Sequence, residues 1–167
     1  MASTDAGDEG DKRAEEKAAL DREHAERLLQ AQLRLQDGIV SRAQLTTGGL
    51  TRSDIARMVR HNDLPAVHRG VYANQTGPLT WSQRAWAAVL YAWPAYLCWT
   101  SLEEPTGRDS GPIHVAIDHS RRVHPQDGIV LHRMTGLDRR AYGGNPPRLA
   151  VEDNALAMAH AARDDID

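Results

Sequence analysis

The stretch Val40–Ile55, VSRAQLTTGGLTRSDI, contains one six-residue pattern twice, ten residues apart. VSRAQL and LTRSDI both read apolar residue, Ser or Thr, Arg, a free position, an acid or amide, and an apolar residue. Each copy is a helix start. In the first, Ser41 is predicted as the N-cap and Gln44 as the third helical residue, each side chain satisfying an otherwise orphaned backbone N–H. Val40 staples to Leu45 across the same turn. In the second, Thr51 and Asp54 form the box and Leu50 staples to Ile55. Gly48 and Gly49 limit the first helix to Arg42–Thr47, and the second is predicted over Arg52–His61.

Working outward, Asn62 and Asp63 end the second helix. Leu64, Val67, Val71 and Tyr72 favour strand, with a tight turn at Arg69-Gly70, so Ala66–His68 is expected to pair with Val71–Ala73. Upstream, Ala25, Leu28, Leu29 and Leu33 recur at helical spacing and predict a packed helix over Arg22–Gln36, closed by Gly38. Helix, short helix, helix and hairpin within about 55 residues describe a winged helix-turn-helix.

Downstream, Thr80 and Gln83 form a third capping box. They open a helix, WSQRAWAAVLYAW, with Trp81, Ala85, Ala88, Val89 and Ala92 inward and Pro94 as its stop. IHVAID at 113–118 and GIVLHRM at 128–134 read as strands joined by the basic loop HSRRVHPQD. After a Gly/Pro loop at Gly143–Pro147, a last helix is expected over Val151–Arg163 with Leu156 and Ala159 inward. The expected fold class is α+β: a winged helix-turn-helix at 22–77 and a small α/β module at 78–167. Ahead of them lies an acidic extension at 1–21, disordered over residues 1–11 and helix-prone from Lys12.

The net charge of −3 conceals segmentation. Residues 1–23 carry eight acids against four bases, and residues 152–167 carry five acids against Arg163. Between them, residues 38–77 hold five Arg against Asp54 and Asp63. A basic island between acidic ends marks a polyanion-binding face, against the plainer reading of an arginine-rich solvated surface. Among 20 basic residues only Lys12 and Lys17 are lysine, and arginine alone makes bidentate contacts to phosphate or guanine. The single Cys98 excludes an internal disulfide and fits a reducing cytoplasm. The acidic start argues against a secretory signal, and no apolar run suits a membrane span.

On the Arg52–His61 helix, Ile55, Met58 and Val59 should pack inward, leaving Arg52, Ser53, Ala56, Arg57 and Arg60 outward. In a helix-turn-helix the second helix enters the major groove with its N-terminal residues at base edges. Arg52, Ser53 and Arg57 are the expected base readers, and Arg60 a further base or phosphate contact. Thr51 and Arg42 lie at helix N-termini, which favour phosphate. His68, Arg69 and Tyr72 lie on the wing, with Tyr72 as suited to the wing core as to a contact. Against this, Arg57 and Arg60 also suit surface pairing with Asp54 or Asp63, and winged helices serve as protein-binding modules too.

Other chemistry is poorly supported. His114, His119, His124 and His132 are spaced unlike a zinc site, and the strand histidines suit exposed positions; no metal or cofactor is expected. There is no G-x-S-x-G, H-E-x-x-H or P-loop pattern. Glu103, Glu104, Asp109 and Asp118 are acids near the basic loop. But AIDHS lacks a downstream acid-x-Lys, and no lysine follows Lys17, so enzymatic activity is not expected. Trp81, Trp86, Trp93 and Trp99 read as core or a partner face.

The segment DGIVSRAQLTTGGLTRSDIARMVRHNDLPAVHRGVYA closely resembles the N-terminal winged-helix domain of AbiEi-type antitoxins. The strongest parts are the G-[IV]-[VST]-x-x-x-L start, the G-L-[ST]-x-x-x-I helix start and the L-x-x-[VL]-x-R-G-V-Y wing. WSQRAWAAVLYAW and the GPIHVAI and GIVLHR strands are similar to the second module of actinobacterial members. The resemblance covers about Leu35–Arg163. It implies an autorepressing, operator-binding transcriptional regulator, the antitoxin of a type IV toxin–antitoxin pair. Such an antitoxin counteracts a nucleotidyltransferase toxin without a stable complex. It also implies DNA contact through Arg42, the Arg52–Arg60 helix and the wing His68–Tyr72. Two departures stand out: SLEEPTGRDSG replaces a His-Arg-Ser-Ala-Ala helix, and the endonuclease-like domain of longer relatives is missing. The alternatives are a winged-helix protein-interaction module docking through the Trp-rich half, or a truncated regulatory fragment of an endonuclease-like protein.

Overall fold

The computed structural model describes residues 5–106 and 111–164. Residues 1–4 of the acidic extension, Asp109 and the tail 165–167 lie outside the described residues. The fold is α+β, with five α-helices and two sheets among the described residues.

The first helix, α1, spans Asp5–Leu35. This corrects two expectations, disorder over residues 5–11 and a packed helix confined to Arg22–Gln36, while the helix-prone extension from Lys12 is helical. Alanine, glutamate, lysine and arginine all favour helix, and pairs such as Glu23–Arg27 at i,i+4 add local support without tertiary contacts. A third expectation also changes. Leu29 and Leu33 pack against the core, but Leu28 is 58% exposed, because it sits about 100° round the helix from Leu29. The chain leaves α1 through Asp37 and Gly38, both at positive φ. A Cβ at Gly38 would lie 2.0 Å from Asn74 Oδ1, so glycine is required there twice over.

A short strand follows, β1 at Ile39–Ser41, in addition to the expected elements. It runs directly into α2 at Arg42–Thr47, and α3 follows at Arg52–Arg60. Both helices carry the expected capping boxes, Ser41–Gln44 and Thr51–Asp54, with both bonds of each box present. Strands β2 (Ala66–His68) and β3 (Val71–Ala73) form the expected hairpin, with a register irregularity between Ala66 and His68. The sheet order is β1-β3-β2, with Val40 opposite Tyr72. Leu33, Val40, Leu45, Ile55, Leu64 and Tyr72 form the core between this sheet and the helices.

Helix α4, Trp81–Ala92, starts from the third capping box, Thr80–Gln83. It is apolar almost all round, as a helix buried on two sides must be. Trp86, Ala87 and Leu90 pack on Ile39, Val71 and Ala73 of the first sheet. Ala85, Ala88, Val89 and Ala92 pack on Ile113, Val115, Ile117 and Ile129 of the second. The second sheet has the order β6-β5-β4-β8-β7. Its strands are β4 (Tyr96–Leu97), β5 (Ile113–Asp118), β6 (Ile129–Met134), β7 (Ala141–Gly143) and β8 (Arg148–Leu149). Strands β5 and β6 pair in parallel, joined by the basic loop 119–128. Arg121 pins that loop to the end of α4, its guanidinium donating to the carbonyls of Ala92, Trp93 and Pro94 at 2.6–2.7 Å.

The far face of the second sheet carries a short 3-10 turn at Trp99–Ser101 and the last helix, α5, at Val151–Asp164. The expected inward residues of α5 are not inward: Leu156 is 57% exposed and Ala159 is exposed. The helix is instead held by Asn154, 6% exposed, which accepts from the Trp99 N–H at 2.6 Å and donates to its carbonyl at 3.2 Å. That grip sets the rotation of the helix. No helix among the described residues is long and apolar enough to cross a membrane.

Candidate functional site

Three elements of the first half converge on one concavity of about 700 Å³. Arg42 comes from the first turn of α2, Arg52 from the first turn of α3, and His68 and Arg69 from the β2–β3 hairpin. The floor is apolar, made of Ile55, Ala56, Val59, Ala66 and Val67. No acidic residue among those described lines it.

The local reasons for this convergence lie in the helix starts. The Arg42 N–H donates to the Gly70 carbonyl at 2.8 Å, so the start of α2 and the hairpin turn are tied together. Gly70 has φ 77°, a conformation that suits glycine in a tight turn. The Arg42 guanidinium donates twice to the Tyr72 hydroxyl, at 3.1 and 2.8 Å. Tyr72 itself is 3% exposed and belongs to the core. Among the expected contact residues it is therefore the one without a surface of its own; it orients Arg42 from below.

Helix α3 presents two neighbouring faces. With about 100° per residue, Arg52 and Ala56 turn toward the hairpin, while Ser53, Arg57 and Arg60 point away from the core. Thr51, Arg52, Ser53, Arg57 and Arg60 are all exposed. Asp54 does not compete freely for these cations. Its Oδ2 accepts from both the N–H and the hydroxyl of Thr51. Those bonds, the hydroxyl first, hold its carboxyl below the ordinary carboxylate range, with Arg57 adding a smaller push. The Arg57–Asp54 pair at 3.5 Å is solvent-exposed, a geometry with little net energy.

His68 lines the concavity on its α4 side. It is half-buried, its ring 5.6 Å from that of Tyr91 on α4. Burial lowers its pKa, opposed by a hydrogen bond with Gln126 of the 119–128 loop. Arg69 is left as the exposed cation at the hairpin turn. Gln126 lines the concavity and Tyr91 supports His68, and sequence reasoning found neither. No local pattern links them to the hairpin, because the contact forms only when α4 and the loop pack beside it.

The strand histidines also depart from expectation. His114 on β5 lies opposite Val130 and His132 on β6 opposite Ala116, and the two rings meet diagonally with Nδ1 and Nε2 2.9 Å apart, so neither is simply exposed. His132 stacks on Trp99 with ring centroids 3.8 Å apart. Among the described residues no group of three or more His, Cys, Asp or Glu is arranged to hold a metal ion. Cys98 is buried, and burial pushes its thiol well up. Asp118 accepts from the N–H and the hydroxyl of Ser120.

Neither a protein-family model nor a curated protein sequence matches this chain.

Proposed function

We propose that the chain is a sequence-specific double-stranded DNA-binding regulator, built on a winged helix-turn-helix in which α3 is the recognition helix and β2–β3 the wing. The observation that carries this is the concavity where Arg42, Arg52 and Arg69 meet from three separate elements with no carboxylate in its lining. Arg42 at the start of α2 and Arg69 at the hairpin turn suit phosphate contact, and Arg52, Ser53 and Arg57, with Arg60 beside them, suit the major groove. His68 lines the same concavity beside them, half-buried against Tyr91 of α4. By its sequence resemblance to AbiEi-type antitoxins, the regulator is an autorepressor in the cytoplasm. Its partner in function is a nucleotidyltransferase toxin with which it forms no stable complex.

Binding to a fragment carrying the chain's own promoter, titrated against salt, tests this. Affinity should fall by about 0.9 log units per phosphate contact for each decade of salt. Arg52→Ala should cost about 1–3 kcal/mol at the matched site and relax base preference. Arg69→Ala should weaken all sequences alike and flatten the salt slope by about one contact. Absence of any shift at low salt removes the DNA reading altogether, and intact base preference in Arg52→Ala removes α3 as the reader.

A further inference from the structure

Over residues 12–24 every position of α1 is exposed, so the first half of the helix projects from the body without tertiary support. At 1.5 Å per residue, residues 5–24 reach about 30 Å outward. Contact with the body begins only at Ala25, Leu29 and Leu33. Most helical stability in proteins comes from packing an apolar face, and unsupported helices are marginal in water.

A second apolar stripe runs down the same helix, turned away from the body. Leu20, Leu28 and Leu35 are 67%, 58% and 64% exposed. His24 and Ala31, also exposed, complete it, and the five residues follow at spacings of four, four, three and four. With about 100° per residue they fall within about 80° of arc, centred about 140° from the Ala25–Leu29–Leu33 face. Nothing among the described residues covers them.

One edge of the stripe is charged in an ordered way. Glu16, Glu23, Arg27 and Arg34 lie on one line, within about 40° of each other. Acids hold its N-terminal half and arginines its C-terminal half. Glu23 and Arg27 pair within the helix but both are largely exposed, and a shallow groove along this edge is lined by Glu23, Arg27, Ala31 and Arg34. Reversed end to end, the line is its own complement: Glu16 comes to Arg34 and Glu23 to Arg27. The stripe has the same symmetry, because Leu20 and Leu28 are equally far from His24. In a parallel pair the two copies of the line would lie on opposite sides of the seam and never meet.

We propose that α1 pairs antiparallel with α1 of a second copy of this chain, Leu20 of each copy packing on Leu28 of the other and His24 at the two-fold axis. Arg13 and Lys17 prolong the stripe toward the N-terminus, and their apolar stems lie over Leu35 and Ala31 of the second copy. The pairing covers both stripes and supports the projecting half of each helix. The same patch is used on both chains, so the assembly closes at two copies. None of this requires DNA contact.

Sedimentation equilibrium of the full chain at low salt, from about 1 to 200 µM, tests this, with dimer expected to form in the micromolar range. Leu28→Glu, at an exposed position, should weaken association at least about tenfold, since the lost leucine burial counts twice in a symmetric pair. Arg34→Glu alone should weaken it about threefold to tenfold, by opposing Glu16 of the second copy with a like charge at two places. Glu16→Arg alone should do the same. The two changes together in one chain restore the complement and should return the dimer to within about twofold of wild type. A chain that stays monomeric up to about 200 µM overturns the proposal. So does a dimer indifferent to Leu28→Glu, or a double variant no better than either single one. Leu156, 57% exposed on α5, marks the competing surface. Loss of the dimer in Leu156→Glu, with Leu28→Glu unaffected, would place the interface on α5 and refute the pairing of α1.

Discussion

The Tyr72 ring fills the first core while its hydroxyl, at the top of that core, accepts two bonds from Arg42. A tyrosine in a strand reads from sequence as apolar filling. Its second role depends on a residue thirty positions earlier, and only the β1–β3 pairing brings the two together. The arrangement fixes a long, otherwise flexible side chain before any ligand arrives, which lowers the ordering cost of a phosphate contact. Tyr72→Phe keeps the ring and removes the anchor. It should lower stability by about 1 kcal/mol, the usual net worth of one such bond. It should also weaken DNA binding severalfold, less than Arg42→Ala does. Urea unfolding and salt-dependent binding measure the two effects separately. Normal binding by Tyr72→Phe, alongside failure of Arg42→Ala, would mean that Arg42 acts without being held.

At the scale of elements, what was legible was what is local. The three capping boxes depend on residues three apart, and all three are present with both of their bonds. The hairpin Ala66–His68 with Val71–Ala73 was legible from its turn and its β-branched residues for the same reason. The strands β1, β4, β7 and β8 were not, because two or three residues carry no periodicity and exist as strands only through distant partners. The faces of α1 and α5 were misassigned where a single contact, such as Asn154 on Trp99, decides the rotation of a whole helix. The second capping box also carries a pH dependence. Asp54 is held below its ordinary value of 3.8 chiefly by Thr51, so its contribution to stability is complete above that pH. It is lost as pH falls through the lower folded value. Thr51→Ala removes the cap and should cost about 1 kcal/mol at neutral pH. The difference from wild type should shrink as the pH falls below 3.8. Chemical denaturation across that range checks it, and a constant difference would show that the Asp54 carboxylate takes no part in the cap.

At the scale of the molecule, α4 belongs to both halves. Its alanines allow the second sheet to approach closely on one side, while Trp86 and Leu90 fill the space above the first sheet on the other. Gln83, buried at its start, donates to the Asp37 carbonyl at 2.9 Å and accepts from Gln75, which ties the helix to the exit of α1. On the other side the 119–128 loop is fastened to the end of α4 by Arg121, and Tyr91 donates to the His124 carbonyl at 3.0 Å. The same loop reaches the hairpin through Gln126 and His68. The sequence places a boundary at residue 77, after the hairpin and ahead of the third capping box. Yet neither sheet has a complete core without the helix that follows. Removing α4 from one sheet therefore exposes apolar surface on that sheet and leaves the helix's own second face uncovered. The two sheets should unfold together. Ala88→Leu adds three carbons where the helix meets only the second sheet, and such overpacking costs about 1–3 kcal/mol. If the halves are coupled through α4, native-state hydrogen exchange should show Tyr72 on β3 and Val115 on β5 losing protection by the same amount in this variant. If only β5 loses protection while β3 keeps its wild-type value, the halves are independent and α4 is merely adjacent to the first sheet.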